Sequence, residues 1–177
     1  MKKKVATVWL GGCSGCHMSF LDMDERLLEI VQLADIVRSR VVDPKELPSV
    51  DVALIEGAVA SEAHWAELKH FREKAKILIA FGDCAVTGNV TALRNFVPKE
   101  DVLKRAYIEA ESNVEGHVPQ DKEVEKLIDR VRPLHEIVKV DFFIPGCPPS
   151  ADLIFYVLNE FLNDRVPILA EGKLNYG

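Results

Sequence analysis

Long apolar runs are missing from this sequence. A membrane-spanning helix needs about 18 or more consecutive apolar residues, and the greasiest stretch, residues 151–162, is interrupted by Asp152, Asn159 and Glu160. Surplus positive charge is missing too: 22 Lys and Arg stand against 28 Asp and Glu, a formal net charge of −6. Such a chain offers no electrostatic footprint for a phosphate backbone or an anionic lipid surface, so neither nucleic acid nor membrane is expected as a partner. Cysteine is sparse, with four in 177 residues. A chain of this length buries roughly 70% of the surface it exposes when unfolded, enough for a core without cross-links. Metal or redox chemistry therefore accounts for the cysteines better than a disulfide framework does. At the N-terminus Lys2, Lys3 and Lys4 precede Val5-Ala6-Thr7-Val8-Trp9-Leu10 and Gly11-Gly12-Cys13, which imitates an export leader. Its apolar part is shorter than the roughly 7–15 residues of such a leader and reads equally well as a buried strand, so a cytoplasmic location is expected.

What is present is an alternation of strand and helix patterns. Residues 4–10 are β-rich and run into a glycine loop over 11–15. Apolar residues at helical spacing follow over 19–34 (Phe20, Met23, Leu27, Leu28, Val31), and Asp22 with Glu25 forms a capping box from which the regular helix is expected to start. Residues 36–42 read as a second strand closed by Asp43-Pro44, and 51–55 as a third ending at Glu56-Gly57. A helix is expected over 62–74, and a strand over 76–81 that stops at Gly82-Asp83-Cys84. Residues 92–135 are charged and Pro-punctuated and read as a helical excursion from the core, with helical pieces at 99–111 and 122–131. The charges of 122–132 are assigned to a solvated helix face. Strand character returns over 138–144 and breaks at Pro145-Gly146-Cys147-Pro148-Pro149, after which Ser150 caps a last helix over 151–163. That helix is apolar nearly all round and should pack on more than one side. The pattern predicts a single domain over 1–177. Its fold class is α/β, a flavodoxin-like, doubly wound, mainly parallel sheet with helices on both faces.

In such a fold, ligands sit at the carboxyl edge of the sheet, and every cysteine falls just past a candidate strand. The spacing is C-x2-C-x67-C-x62-C, from Cys13 and Cys16 through Cys84 to Cys147. Four thiolates suit either zinc or an iron–sulfur cluster. Structural zinc sites usually offer two local C-x2-C knuckles and this chain has one, whereas a cluster accepts ligands from loops well apart. Gly11, Gly12, Gly15, Gly82 and Gly146 would let backbone N–H groups approach the sulfurs of a buried anionic cluster, and Pro145, Pro148 and Pro149 would stiffen its last loop. Other readings stay open: a zinc site, a phosphate or FMN loop at 11–15, a thioredoxin-type dithiol at Cys13 and Cys16 that leaves Cys84 and Cys147 unexplained, or inert buried thiols. Glu56, at the same edge, is a candidate proton relay, ligand-orienting group or alternative oxygen ligand, or else a loop-capping carboxylate. His17 is a candidate hydrogen-bond donor to the cluster or a partner-facing residue. His64, His70, His117 and His135 read as ordinary surface or packing residues, and Trp9 and Trp65 as core.

With those residues placed, the sequence resembles the small subunit of nickel-iron hydrogenases. The resemblance runs through Trp9-Leu10, Cys13-Ser14-Gly15-Cys16, Ile55-Glu56-Gly57-Ala58, Gly82-Asp83-Cys84-Ala85 and Pro145-Gly146-Cys147-Pro148-Pro149. It implies that Cys13, Cys16, Cys84 and Cys147 hold one proximal [4Fe-4S] cluster. That cluster would take electrons one at a time from a Ni-Fe centre on a separate large subunit, with no catalytic residue on this chain. Exported members add a twin-arginine signal and a C-terminal segment for further clusters, and neither is expected here. The related cluster subunit of respiratory complex I has adjacent cysteines in its first loop, whereas Cys13 and Cys16 are separated. With His17-Met18-Ser19-Phe20-Leu21-Asp22 and Pro133-Leu134-His135-Glu136, the chain is similar to the small subunit of cytoplasmic NAD-reducing hydrogenases. In those enzymes diaphorase subunits with flavin and further iron-sulfur clusters pass electrons on to NAD. Deazaflavin-, ferredoxin- or sulfur-reducing relatives, or a flavin- or zinc-binding interaction module, are the alternatives.

Overall fold

A computed structural model describes residues 2–169. Its framework is a five-stranded sheet of β1 (Lys3–Trp9), β2 (Ala34–Arg38), β3 (Val50–Glu56), β5 (Ala75–Phe81) and β7 (Phe142–Ile144), in the order β2-β1-β3-β5-β7. Every pairing in it is parallel. Side chains alternate across a strand, and the three central strands use both faces. Val5, Val52, Leu54, Ile79 and Phe81 enter one core with Phe20, Met23 and Ile30 of the segment after β1 and with Leu153, Ile154 and Val157. Ala6, Val8, Ala53, Ile55, Leu78 and Ala80 enter the other with Leu68 and Phe71. The helices supplying these contacts are α1 (Gly15–Leu21), α2 (Arg26–Leu33) and α6 (Ala151–Leu162) on the first face, and α3 (Glu62–Lys74) on the second. This is the doubly wound, flavodoxin-like arrangement that the alternating pattern predicts.

Caps explain the best-matched helices. The Ser61 hydroxyl accepts the His64 N–H at the start of α3, and Ser150 accepts the Leu153 N–H at the start of α6. Helix α6 buries Leu153, Ile154, Val157, Leu158, Phe161 and Leu162 within this chain, so its apolar surface serves the core rather than a docking face.

Four local expectations are corrected. The run 19–34 is two helices, not one: α1 ends with Asp22 as its C-cap, its N–H donating to the Met18 carbonyl while the Met23 N–H donates to that of Phe20, and Asp24 turns through φ +49° before α2 begins. Asp22 therefore closes a helix, and no capping box opens one. Strand β2 stops at Arg38, short of 42, because Ser39 turns inward to bond Thr7. The segment 122–131 is not helical. Its second half is β6 (Leu127–Arg132), antiparallel to the short β4 (Val59–Ser61) in a ribbon outside the main sheet. Tertiary bonds hold it extended: Asn95 exchanges two hydrogen bonds with the Val131 backbone, and the Glu62 N–H donates to the Lys126 carbonyl. Finally, of 138–144 only Phe142–Ile144 joins the sheet; Asp141, just before it, donates its N–H to the Leu78 carbonyl and accepts the Leu78 N–H on its side chain. Helix α4 (Asp83–Thr87) precedes the excursion, whose remaining elements are a 3₁₀ segment that leads into it (Asn89–Phe96) and α5 (Lys99–Tyr107).

Candidate metal centre

The central strands end in loops that turn the thiols toward one another. Cys13 lies in the loop after β1, Cys16 in the first turn of α1, Cys84 in the first turn of α4 after β5, and Cys147 between β7 and α6. All four line a single small cavity of about 80 Å3, with Glu56 and Asp83 in its wall. Larger clefts, of about 380 Å3 beside Lys3 and about 530 Å3 beside Tyr107, contain no cysteine. Cys16 and Cys84 are buried, while Cys13 and Cys147 are exposed, so the cavity has a closed side and an open one.

Close approach of the main chain makes this convergence possible. Gly82 sits at φ +84°, and a Cβ there would lie 2.1 Å from the Cys16 sulfur, so only glycine fits. Asp83 then staples two of the thiol loops together. Its N–H donates to the Gly146 carbonyl at 2.9 Å, and its carboxylate accepts the Gly146 N–H at 2.6 Å. Asp83 does not figure among the residues expected to build the site, although the Gly-Asp-Cys triplet places it there.

Glu56, at the end of β3, is 2% exposed. Its carboxylate accepts the backbone N–H groups of Cys16 at 3.2 Å and His17 at 2.9 Å, and it also pairs with the His17 ring at Nδ1. The other ring nitrogen of His17 meets the Thr7 hydroxyl at 2.8 Å, which in turn meets the Ser39 hydroxyl at 2.7 Å. His17 is thus buried and turned into the sheet, so it neither faces a partner nor turns its ring nitrogens to the thiols. Trp9 packs edge-on against it with ring centroids 5.0 Å apart. The one outward clue to this network is a threonine inside the otherwise apolar strand Val5-Ala6-Thr7-Val8. His64 is half-buried, with its Nδ1 accepting the Ala60 N–H, and takes no part in the thiol cavity.

Electrostatics at the cavity oppose bare thiolates. The Cys16 thiol is pushed strongly upward, first by burial, then by Glu56 and the other three cysteines. Cys84 is pushed upward by burial and then by Cys13 and Cys147, with only the Thr91 hydroxyl lowering it. Four thiols and a carboxylate in such company call for a cationic group to take up their charge on deprotonation. Among the described residues, no three His, Cys, Asp or Glu are grouped so as to hold a single metal ion.

Comparison with known proteins identifies the lineage. Residues 13–161, a span containing all four cysteines, match the family described as NADH ubiquinone oxidoreductase, 20 Kd subunit. The chain belongs to this family. It is 45% identical over 168 residues to the NAD-reducing hydrogenase HoxS subunit delta of Cupriavidus necator, covering 93% of this chain and 80% of that one. It is 43% identical over 166 residues to an F420-non-reducing hydrogenase subunit of Methanothermobacter marburgensis, covering 91% of this chain but only 54% of the relative. The crystal structure of an NAD+-reducing [NiFe]-hydrogenase in the H2-reduced state contains a chain that superposes with a TM-score of 0.97 at 39% identity, with full coverage of both. The chain is therefore a homologue of the NAD-reducing [NiFe] hydrogenase small subunit, and so a subunit of an oxidoreductase. A [NiFeSe]-hydrogenase of Dm. baculatum shares the fold at 17% identity and a TM-score of 0.62. No helix among the described residues is long and apolar enough to cross a membrane.

Proposed function

We propose that this chain is the electron-transfer small subunit of a cytoplasmic NAD-reducing [NiFe] hydrogenase, with Cys13, Cys16, Cys84 and Cys147 holding one proximal [4Fe-4S] cluster. The observation that carries the reading is the convergence of four thiols from three strand ends on one cavity. When bound, such a cluster supplies storage and release of single electrons, with a potential set by its surroundings. The surroundings are what this chain contributes. Gly82 admits the Cys16 sulfur, Asp83 fixes the Cys147 loop to the Cys84 loop, and Glu56 orients the Cys16 turn. Phe81 and Leu153 share the first core with buried Cys16, and that apolar core backs the closed side. The open side, where Cys13 and Cys147 are exposed, is the face offered to a Ni-Fe large subunit. Diaphorase subunits carrying flavin and further clusters would take the electrons on to NAD. The excursion expected at 92–135 belongs to the same unit in this reading, since Arg94 and Asn95 tie it to β6 and β6 pairs with β4.

The NAD acceptor is favoured over other cytoplasmic acceptors by likeness: 45% identity to the HoxS delta subunit and a TM-score of 0.97 with a chain of an NAD+-reducing hydrogenase. FMN at the thiol-lined edge is not favoured, because a cavity of about 80 Å3 is far below the roughly 300 Å3 or more of typical cofactor pockets. The test is anaerobic purification of the complex with iron, sulfide, nickel, zinc and flavin analysis, together with electron-spin resonance on reduction. About four iron and four sulfide on this chain, with nickel on a co-purifying large subunit, are expected. Colourless protein with stoichiometric zinc would overturn the reading. Cys84→Ser should lower iron content and abolish hydrogen-dependent NAD reduction.

A further inference from the structure

We propose that Asn89 is a positioning residue of the metal centre: its side-chain amide donates an N–H···S hydrogen bond to the Cys147 sulfur and thereby raises the reduction potential of the group held there. The proposal rests on the reading of the four cysteines as cluster ligands.

The Asn89 Nδ2 lies 3.3 Å from the Cys147 Sγ. Cys147 is one of the two cysteines exposed in this chain, and this amide gives its sulfur a fixed donor from within the chain itself. The donor is held from both ends. Upstream, the Gly88 N–H donates to the Cys84 carbonyl at 3.0 Å, the Asn89 N–H donates to the Thr87 hydroxyl at 3.3 Å, and the Thr91 hydroxyl donates to the Gly88 carbonyl. Downstream, Asn95 and Arg94 anchor the same segment to β6. Asn89 itself stands at φ +37°, in the left-handed region that asparagine tolerates better than most residues with a side chain. Residue type and backbone thus agree on an amide at this point.

A tether role alone does not account for that amide, because Asp83 already joins the Cys84 and Cys147 loops through two hydrogen bonds to the Gly146 backbone. The distinguishing partner of Asn89 is a sulfur. Reduction adds negative charge to a thiolate-bound cluster, so a donor aimed at a ligand sulfur stabilises the reduced state more than the oxidised one. Removing the donor should lower the potential.

The test is an electron-spin-resonance redox titration of the proximal cluster in the intact hetero-oligomer, with iron and sulfide counted on the same samples. Asn89→Gly removes the amide without backbone strain, and Asn89→Asp keeps the shape while replacing the donor with a negative charge. Both are expected to retain iron and to lower the midpoint potential, Asp by more than Gly. The shift should be on the order of tenfold in the reduction equilibrium, ~59 mV for a one-electron couple. Unchanged potentials in both variants with normal iron would overturn the assignment while leaving the cluster reading intact. Loss of iron from both would overturn it too, by making Asn89 a structural prop. Wild-type protein without iron or sulfide would instead overturn the parent reading.

Discussion

Glu56 and His17 are joined twice, once through the His17 backbone N–H at 2.9 Å and once through its ring Nδ1, with both residues buried. The same carboxylate also holds the Cys16 N–H at 3.2 Å. One side chain at the end of β3 therefore fixes the first turn of α1, where the buried thiol sits. Glu56→Ala should leave those donors unsatisfied and cost about 2–3 kcal/mol, in the range for hydrogen bonds to a charged group. Thermal unfolding of the complex together with iron content checks it: both should fall, and Glu56→Gln, which keeps one acceptor oxygen, should fall less.

The Thr7 hydroxyl bridges the His17 ring and Ser39 within a buried chain of polar groups. Thr7→Val conserves shape and removes both bonds, stranding His17 Nε2 and leaving the Ser39 hydroxyl with the Val41 N–H as its partner. A loss of about 1–3 kcal/mol is expected, from the desolvation of unpaired groups. Iron content should remain normal, because no thiol contacts Thr7 through these bonds. Wild-type melting behaviour in the variant would remove this network from the account of stability.

Gly82 has no room for a side chain. Gly82→Ala combines φ +84° with a Cβ placed 2.1 Å from the Cys16 sulfur, so either the sulfur or the β5 terminus must move. Backbone strain alone costs about 1–3 kcal/mol. Iron per chain, measured after anaerobic purification, should fall well below the wild-type value, whereas Gly12→Ala, whose Cβ would meet nothing nearer than 3.5 Å, should leave it unchanged.

Asp141 accounts for part of the acid sensitivity. Its partial burial favours the neutral acid, but the Leu78 N–H and the Arg72 guanidinium outweigh this and hold its carboxyl below the ordinary value. A carboxylate depressed on folding contributes stability that is fully present above the unfolded value, about pH 4. That contribution is lost as pH falls through the folded value. Asp141→Asn should therefore lower stability at neutral pH and flatten the acid limb of a stability–pH curve. An acid limb as steep as that of wild type would show that other carboxylates carry it.

Alternation of apolar residues at strand period and at helical period is a local property, and it makes β1, β3, α3, β5 and α6 readable within a residue or two. The cysteines and Glu56 are equally readable, because each follows such a strand and a parallel sheet sends all its carboxyl ends to one edge. Residues 127–132 could not be read this way. Their charge pattern suits a solvated helix, and partners distant in sequence, among them Asn95, Arg94 and the β4 edge, hold them extended. His17 is a second case, since its orientation is set by Glu56 from the next strand and by Thr7 from beneath. The amino-acid order by itself determines which groups arrive at the sheet edge, because strand polarity and chain connectivity are encoded in local periodicity. Which donor meets which sulfur or carboxylate was decided only in the tertiary structure, because a hydrogen bond depends on a few tenths of an ångström between segments that the sequence places tens of residues apart.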